Sequence, residues 1–167
     1  IKSSAASDVY KRQAVLYVSL VNISAGSDLT GQLTDGFAQY AHLTKKQQVN
    51  LLTGLIINET ANVDEQYIYA SELKLLAAVS AQQLDVILMD TAARDQLQDE
   101  AYFLDLRTLD ADFSSLDELS ADGVTLDISD TPLIAQAGFE ESVYLGVIAN
   151  APHPERAAAY IRYLLKW

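Results

Sequence analysis

Polar side chains follow three predicted strands of this sequence and could bind a ligand together. Asn22 follows the first strand, Glu59 follows the second, and Asp90 and Thr91 follow the third. Tyr69 lies in the helix after the second strand, where its ring could stack on a ligand. Because parallel strands end at one edge of a sheet, we expect these five side chains to converge on one cleft. The alternative is that they are ordinary turn and cap residues, since those have the same side-chain types.

Three apolar stretches must position these side chains. Residues 14–23, 49–57 and 84–90 are rich in Val, Ile and Leu, which predicts strands, and Gly54 in the second is a candidate bulge. The third stretch, LDVILMD, has consecutive apolar residues and should be buried on both faces. With helices between them, the strands predict an α/β domain whose sheet is largely parallel, with right-handed crossovers and helices on both faces.

The helices are predicted from apolar residues at helical spacing. The first helix can be capped by Ser27 or Asp28, and the second covers 67–80. The predicted apolar face of the first helix contains Leu29, Leu33, Phe37 and Tyr40. That of the second helix contains Ile68, Leu73, Leu76 and Val79.

The second half of the chain is less regular. Its predicted elements are a helix at 91–100 capped by Thr91, an extended piece at 102–106, a polar loop at 107–123, strands at 124–128 and 142–150, and a last helix that begins with Pro154.

Charge and composition exclude several classes of function. The chain has 167 residues, no cysteine and a formal net charge of −12. That charge disfavours nucleic acids and anionic membrane surfaces as partners. The absence of cysteine excludes disulfides, thiolate metal sites and a cysteine nucleophile.

The first thirteen residues differ from the rest of the chain. IKSSAASDVYKRQ contains Lys2, Lys11 and Arg12 against Asp8, and it has no apolar core of the kind found in signal peptides. It resembles a translated adapter sequence found at the ends of metagenomic gene fragments, and a disordered native tail is the alternative. We therefore predict an extraneous or disordered leader at 1–13 and a single domain at 14–167, with any signal peptide or membrane anchor missing from this chain.

Three segments resemble bacterial extracytoplasmic solute-binding proteins. They are YASELKLLAAVSAQQLDVILMD, its continuation TAARDQLQDEAYFLDL, and SVYLGVIANAPHPERAAAYIRYLL, which together make up more than a third of the chain. The resemblance is to the type II periplasmic-binding-protein fold, and most of all to short, membrane-anchored, uncharacterised relatives in Gram-positive bacteria. It implies one lobe, or a compacted form, of that fold, since a complete type II protein has two lobes and is about twice as long.

The function implied by this resemblance is non-catalytic binding at the cell surface, without a cofactor. The partner would be a small polar solute or a protein, and the membrane would be reached only through the missing N-terminal anchor. The alternative is a membrane-anchored structural or interaction domain that has no small-molecule ligand.

Asp90 by itself also suggests catalytic chemistry, but the rest of the sequence disfavours that interpretation. Asp90 after LDVILMD resembles the phosphoacceptor of a response-regulator receiver, but the first strand ends in Val21, Asn22 and Ile23 without the acidic pair that holds magnesium. We therefore expect Asp90 to cap the next helix. The sequence contains none of the common hydrolase, nucleotide-binding or zinc-protease motifs, which predicts that the chain is not an enzyme, although a Ser-His-Asp triad stays open.

Metal binding is predicted to be absent. Asp110, Asp112 and Ser114 begin like a calcium loop, but Ser115 replaces the turn glycine and Ala121 replaces the bidentate glutamate. A solvated acidic surface is the preferred interpretation of this stretch, with weak calcium binding as its alternative. His42 and His153 have no metal-ligand partner at helical spacing and are expected at the ends of elements.

Overall fold

The fold is built on a mixed, mostly parallel five-stranded sheet. The structure is a computed structural model that describes residues 12–58 and 62–166. Within these, the strands are β1 (Gln13–Val21), β2 (Gln47–Leu55), β3 (Val86–Met89), β4 (Leu126–Asp127) and β5 (Tyr144–Val147). Their order is β2-β1-β3-β5-β4. Strand β1 is parallel to β2 and β3, whereas β5 is antiparallel to both β3 and β4, so β5 alone opposes the others.

Five helices flank the sheet in the described part of the chain. Helix α1 consists of Ser27–Gly31, a π-helical stretch at Gln32–Gly36, and Phe37–Tyr40. The others are α2 (Glu65–Ser80), α3 (Thr91–Asp99), α4 (Pro132–Ala137) and α5 (Pro154–Leu165), with short 3₁₀ turns at Leu106–Thr108 and Ala111–Ser115. The predicted α/β class is confirmed. The predicted leader lies outside the described residues except for its last two, and Gln13 already pairs with Gln47.

The sheet separates two apolar layers, because successive side chains of a strand point to opposite faces. Leu20 and Leu88 belong to the larger core, which also contains buried residues of α1, α4 and α5. Val21 and Ile87 belong to the other core, which is completed by residues of α2 and α3. The whole of β3 is buried, as the consecutive apolar residues of LDVILMD predict.

The bulge predicted at Gly54 is confirmed. Ser19 pairs with Leu52 and Val21 pairs with Leu55, so β2 has one more residue than β1 between these pairs. Gly54 has φ +79, a conformation that favours glycine.

Tyrosines of α5 bond to the π-helical stretch of α1. The Tyr160 hydroxyl donates to the Leu33 carbonyl at 2.8 Å, and the Tyr163 hydroxyl donates to the Gln32 carbonyl at 2.7 Å. Burial raises the pKa of Tyr160 well above its usual value. These bonds satisfy carbonyls in a stretch of irregular helix and fix α5 against α1.

The predicted helix starts need two corrections. Gly26, not Ser27 or Asp28, precedes α1, and no side chain in the described part of the chain caps this helix. Thr91 does not cap α3, whereas the expected cap by Asp90 is confirmed, because its carboxylate accepts the Ala93 amide at 2.9 Å.

The predicted apolar face of α2 is right for Val79, which packs against the core, and wrong for Leu73 and Leu76. The residues of α2 that are buried are Ser71 and Leu75, whereas Leu73 and Leu76 are about half exposed. The Ser71 hydroxyl accepts the Ile56 amide at 3.2 Å, which turns this side of the helix toward β2. The side chains of Leu73 and Leu76 are therefore left on the outer side of the helix.

Helix α4 was not predicted. Pro132 occupies its first turn, and Gly138 ends it with a left-handed φ of +74. Proline in the first turn and glycine after the last turn are recognised helix-boundary signals. The sequence therefore contained evidence for this short helix, although the stretch lacks regular apolar spacing.

Candidate functional site

Asn22 joins the ends of the three parallel strands. It has a left-handed φ of +62, which asparagine tolerates better than most residues. Its side-chain amide donates to Asn58 and, at 3.0 Å, to Asp90, while its side-chain oxygen accepts the Ile57 amide at 2.9 Å. Asn58 in turn donates to Gln96 at 2.9 Å. The expected convergence at the carboxyl edge therefore occurs for Asn22 and Asp90.

These bonds use much of the hydrogen-bonding capacity of the two predicted residues. One oxygen of Asp90 accepts both the Asn22 amide and the Ala93 amide. Among the described residues, the side-chain nitrogen of Asn22 has two partners and its side-chain oxygen has one. The arrangement holds the strand ends in place, and ligand contact by either residue stays a prediction.

Two of the other predicted site residues, Thr91 and Tyr69, do not join this network. Thr91 is partly exposed at the start of α3. Tyr69 is 64% exposed on α2 and lines a separate groove. Glu59 lies outside the described residues. Their roles as ligand contacts likewise stay predictions.

A larger cavity lies beside the carboxyl end of β1, between α1 and α4. Its volume is about 590 Å³, within the range of about 300–1,000 Å³ typical of small-molecule sites. We call it the α1–α4 cavity, and its lining residues are Ser24, Ala25, Gly26, Asp28, Leu29, Gln32, Leu133, Gln136, Ala137 and Phe139. The cavity was not predicted from the sequence, because the unpredicted helix α4 forms one of its walls.

The lining of the α1–α4 cavity is mixed in chemistry. Ser24, Gln32 and Gln136 can each donate and accept hydrogen bonds, whereas Asp28 only accepts when ionised. Within the described part of the chain, no cation pairs with the Asp28 carboxylate. Leu133 and the other apolar residues of the lining add apolar surface. Such a lining suits a small polar molecule that has hydrogen-bond donors and some apolar surface.

A buried carboxylate lies at the opposite edge of the sheet. Asp85 is 0% exposed and accepts the Tyr17 amide at 2.9 Å, the His153 amide at 2.7 Å and His153 Nδ1 at 2.9 Å. The His153 ring also stacks on Tyr17, with centroids 5.8 Å apart. The pair ties the start of α5 to β1 and β3. The signal in the sequence was an aspartate inside an otherwise apolar stretch.

This Asp-His pair has a structural explanation. Among residues 12–58 and 62–166, no serine or threonine hydroxyl is hydrogen-bonded to His153, so the third member of a Ser-His-Asp triad is not in place there. The two amides and the ring nitrogen satisfy a carboxylate that would otherwise be buried without partners.

The acidic stretch considered for calcium is arranged around an ion pair. Asp110 caps the second 3₁₀ turn and accepts a hydrogen bond from the Arg162 guanidinium, which lowers the pKa of this carboxyl. In the part of the chain that the structure describes, no cluster of three or more His, Cys, Asp or Glu side chains could hold a metal ion. None of the described helices is long and apolar enough to cross a membrane.

No protein-family model, curated protein or solved structure matches this chain. Functional assignment therefore depends on the geometry and chemistry of its own surface.

Proposed function

We propose that this chain is a non-catalytic binding domain that holds a small polar ligand in the α1–α4 cavity. The observation that carries the proposal is a cavity of about 590 Å³ at the carboxyl end of β1, with both polar and apolar walls. In open α/β sheets, ligands bind outside the carboxyl ends of the parallel strands. The volume and the few polar groups around apolar surface agree with ordinary small-molecule sites.

The charge of the site narrows the class of ligand. Asp28 lies in the first turn of α1 and lines the cavity, and the whole chain has a net charge of −12. An anion would be repelled both by this carboxylate and by the surrounding field. The ligand we propose is therefore neutral or cationic, with donors for Asp28 and either donors or acceptors for the amides of Gln32 and Gln136.

The resemblance to one lobe of a type II periplasmic binding protein supports the same role. It extends the proposal to a domain outside the cytoplasm, held at the cell surface by an N-terminal membrane anchor. The alternative, an interaction domain without a small ligand, would leave the cavity without a specific occupant.

A thermal-shift screen tests the proposal. Amino acids, sugars, oligopeptides and polyamines are the probes, and organic anions serve as the class expected to fail. A ligand at about 100 times its Kd adds about 2.7 kcal/mol to the free energy of unfolding. For a domain of this size, the melting temperature should rise by roughly 5–10 °C.

Paired variants locate the binding. Asp28→Asn should abolish most of the shift, whereas Asp35→Asn, an exposed aspartate of the same helix that does not line the cavity, should keep it. Gly26→Leu should also abolish the shift, with Gly31→Leu as its control, because a Cβ at either glycine meets no atom within 4 Å. A shift that survives both Asp28→Asn and Gly26→Leu, or the absence of any shift from neutral and cationic probes, would contradict the proposal.

A further inference from the structure

Helix α2 has a second apolar face that points away from the sheet. Tyr69, Leu73 and Leu76 are 64%, 48% and 50% exposed, and their spacing places them on one side of the helix. Leu75 packs on the other side, in the core shared with β2 and β3. Single exposed apolar residues are common on proteins, but a stripe along one helix is typical of an interaction surface.

A groove runs beside this stripe. Its volume is about 210 Å³, and its apolar part includes the buried side chains of Ile57, Leu75 and Leu97. Tyr102 closes it from the segment after α3. We call this depression the α2–α3 groove, and the stripe and the groove together form one continuous apolar surface.

Two carboxylates lie on the rim of the groove. Glu72 and Glu100 both line it, and burial together with the charges of Glu100 and Glu72 raises the pKa of Tyr102. Both carboxylates therefore line the same groove as Tyr102. Within the described residues, neither forms an ion pair, and Glu100 accepts only a 3.3 Å bond from Gln96.

We infer that this surface binds an amphipathic basic segment of a protein partner. Apolar side chains of the partner would cover Leu73 and Leu76, and a lysine or arginine would reach between Glu72 and Glu100. The charge argues for this occupant, because an apolar surface with unpaired carboxylates on its rim is complementary to an apolar surface with cations. A second copy of this chain fits less well, since it has the same acidic rim and a net charge of −12.

The inference is independent of the proposed ligand site. The α1–α4 cavity lies with α1 on one layer of the sheet, whereas α2 and α3 cover the other layer. A small ligand and a protein partner could therefore be bound at the same time, and the failure of either claim leaves the other standing.

Two designed peptides test the inference by fluorescence anisotropy. One is a labelled amphipathic helix with leucines on one face and lysines around them, and the other has glutamates in place of the lysines. The lysine peptide should bind and the glutamate peptide should not, and salt should weaken the binding because the charges are at the surface. Replacement of Leu73 and Leu76 by glutamine should weaken binding by about tenfold or more, as expected at the centre of an interface.

A charge-matched pair of variants separates the groove from the general acidity of the chain. Glu72→Gln with Glu100→Gln should weaken binding of the lysine peptide by several-fold. Asp117→Asn with Glu141→Gln removes the same charge from exposed sites elsewhere and should leave binding nearly unchanged. Melting curves of the leucine and glutamate variants check that each is folded.

Three results would overturn the inference. The first is that neither peptide binds, and the second is that both charge variants weaken the lysine peptide equally. The third is that light scattering shows a dimer of the unmodified chain that the Leu73 and Leu76 substitutions dissociate, which would assign the face to a second copy.

Discussion

We expect that replacing Asp85 destabilises the fold strongly, although only a few atoms are removed. It is fully buried and accepts three hydrogen bonds, from the backbone amides of Tyr17 and His153 and from the His153 ring. Asp85→Ala leaves those donors without an acceptor, and loss of one partner of a buried pair costs about 3–5 kcal/mol. Because the His153 side chain is 29% exposed and can bond to water, we expect the lower part of that range, about 3–4 kcal/mol.

Chemical and thermal denaturation measure this effect. At about 2–4 °C per kcal/mol, the melting temperature should fall by roughly 6–16 °C. Asp85→Asn keeps one acceptor oxygen and should fall between the alanine variant and the unmodified chain. Asp95→Ala is the control, since Asp95 pairs with Arg94 at 2.8 Å on the surface, where such pairs contribute about 0–1 kcal/mol. If Asp85→Ala costs no more than Asp95→Ala, the buried carboxylate does not hold α5 against the sheet.

Substitutions at three further positions test local features by denaturant titration. Ser19→Ala should raise the free energy of unfolding by about 1 kcal/mol, because the Ser19 hydroxyl is buried without a partner in the described part of the chain, and a loss of stability would refute this. Gly146→Ala should lower it by about 1–3 kcal/mol, since the new Cβ would lie 2.6 Å from the buried Phe103 ring. Asn22→Ala should cost about 2–4 kcal/mol through lost hydrogen bonds and a left-handed φ, and Asn22→Gly should recover part of that by removing the strain. Equal losses in the two Asn22 variants would show that φ makes no contribution.

The position of β3 could be predicted from the sequence because burial on both faces requires an unbroken apolar stretch, which LDVILMD supplies. The bulge in β2 could be predicted because a glycine interrupts its apolar residues. The direction of β5 could not be predicted, because a short apolar strand has the same composition whether it runs parallel or antiparallel to its neighbour. Its antiparallel pairing with β3 depends on where the long connection from α3 places it.

The outward face of α2 shows a second limit. Apolar residues occur on both sides of this helix, so spacing alone could not decide which side is buried. That choice depends on contacts with distant parts of the chain, such as the bond from the Ile56 amide to Ser71. The apolar spacing therefore located the helix and misassigned its core face.

Only those contacts of the candidate site that follow from the order and direction of the strands could be predicted from the sequence. Asn22 and Asp90 meet because parallel strands end at one edge. The α1–α4 cavity was missed because it depends on an unpredicted six-residue helix. The Asp85–His153 pair was missed because the antiparallel pairing of β5 with β3, which brings the residues after β5 to the start of β3, was not predicted.

An NMR titration tests the ligand-binding claim most directly. The compound that gives the largest thermal shift would be added to ¹⁵N-labelled protein, and the amide resonances would be followed. We expect the largest changes at residues 24–32 and 133–139, which flank the α1–α4 cavity. Changes centred instead on residues 69–76 and 96–102 would place the ligand in the α2–α3 groove and contradict the claim.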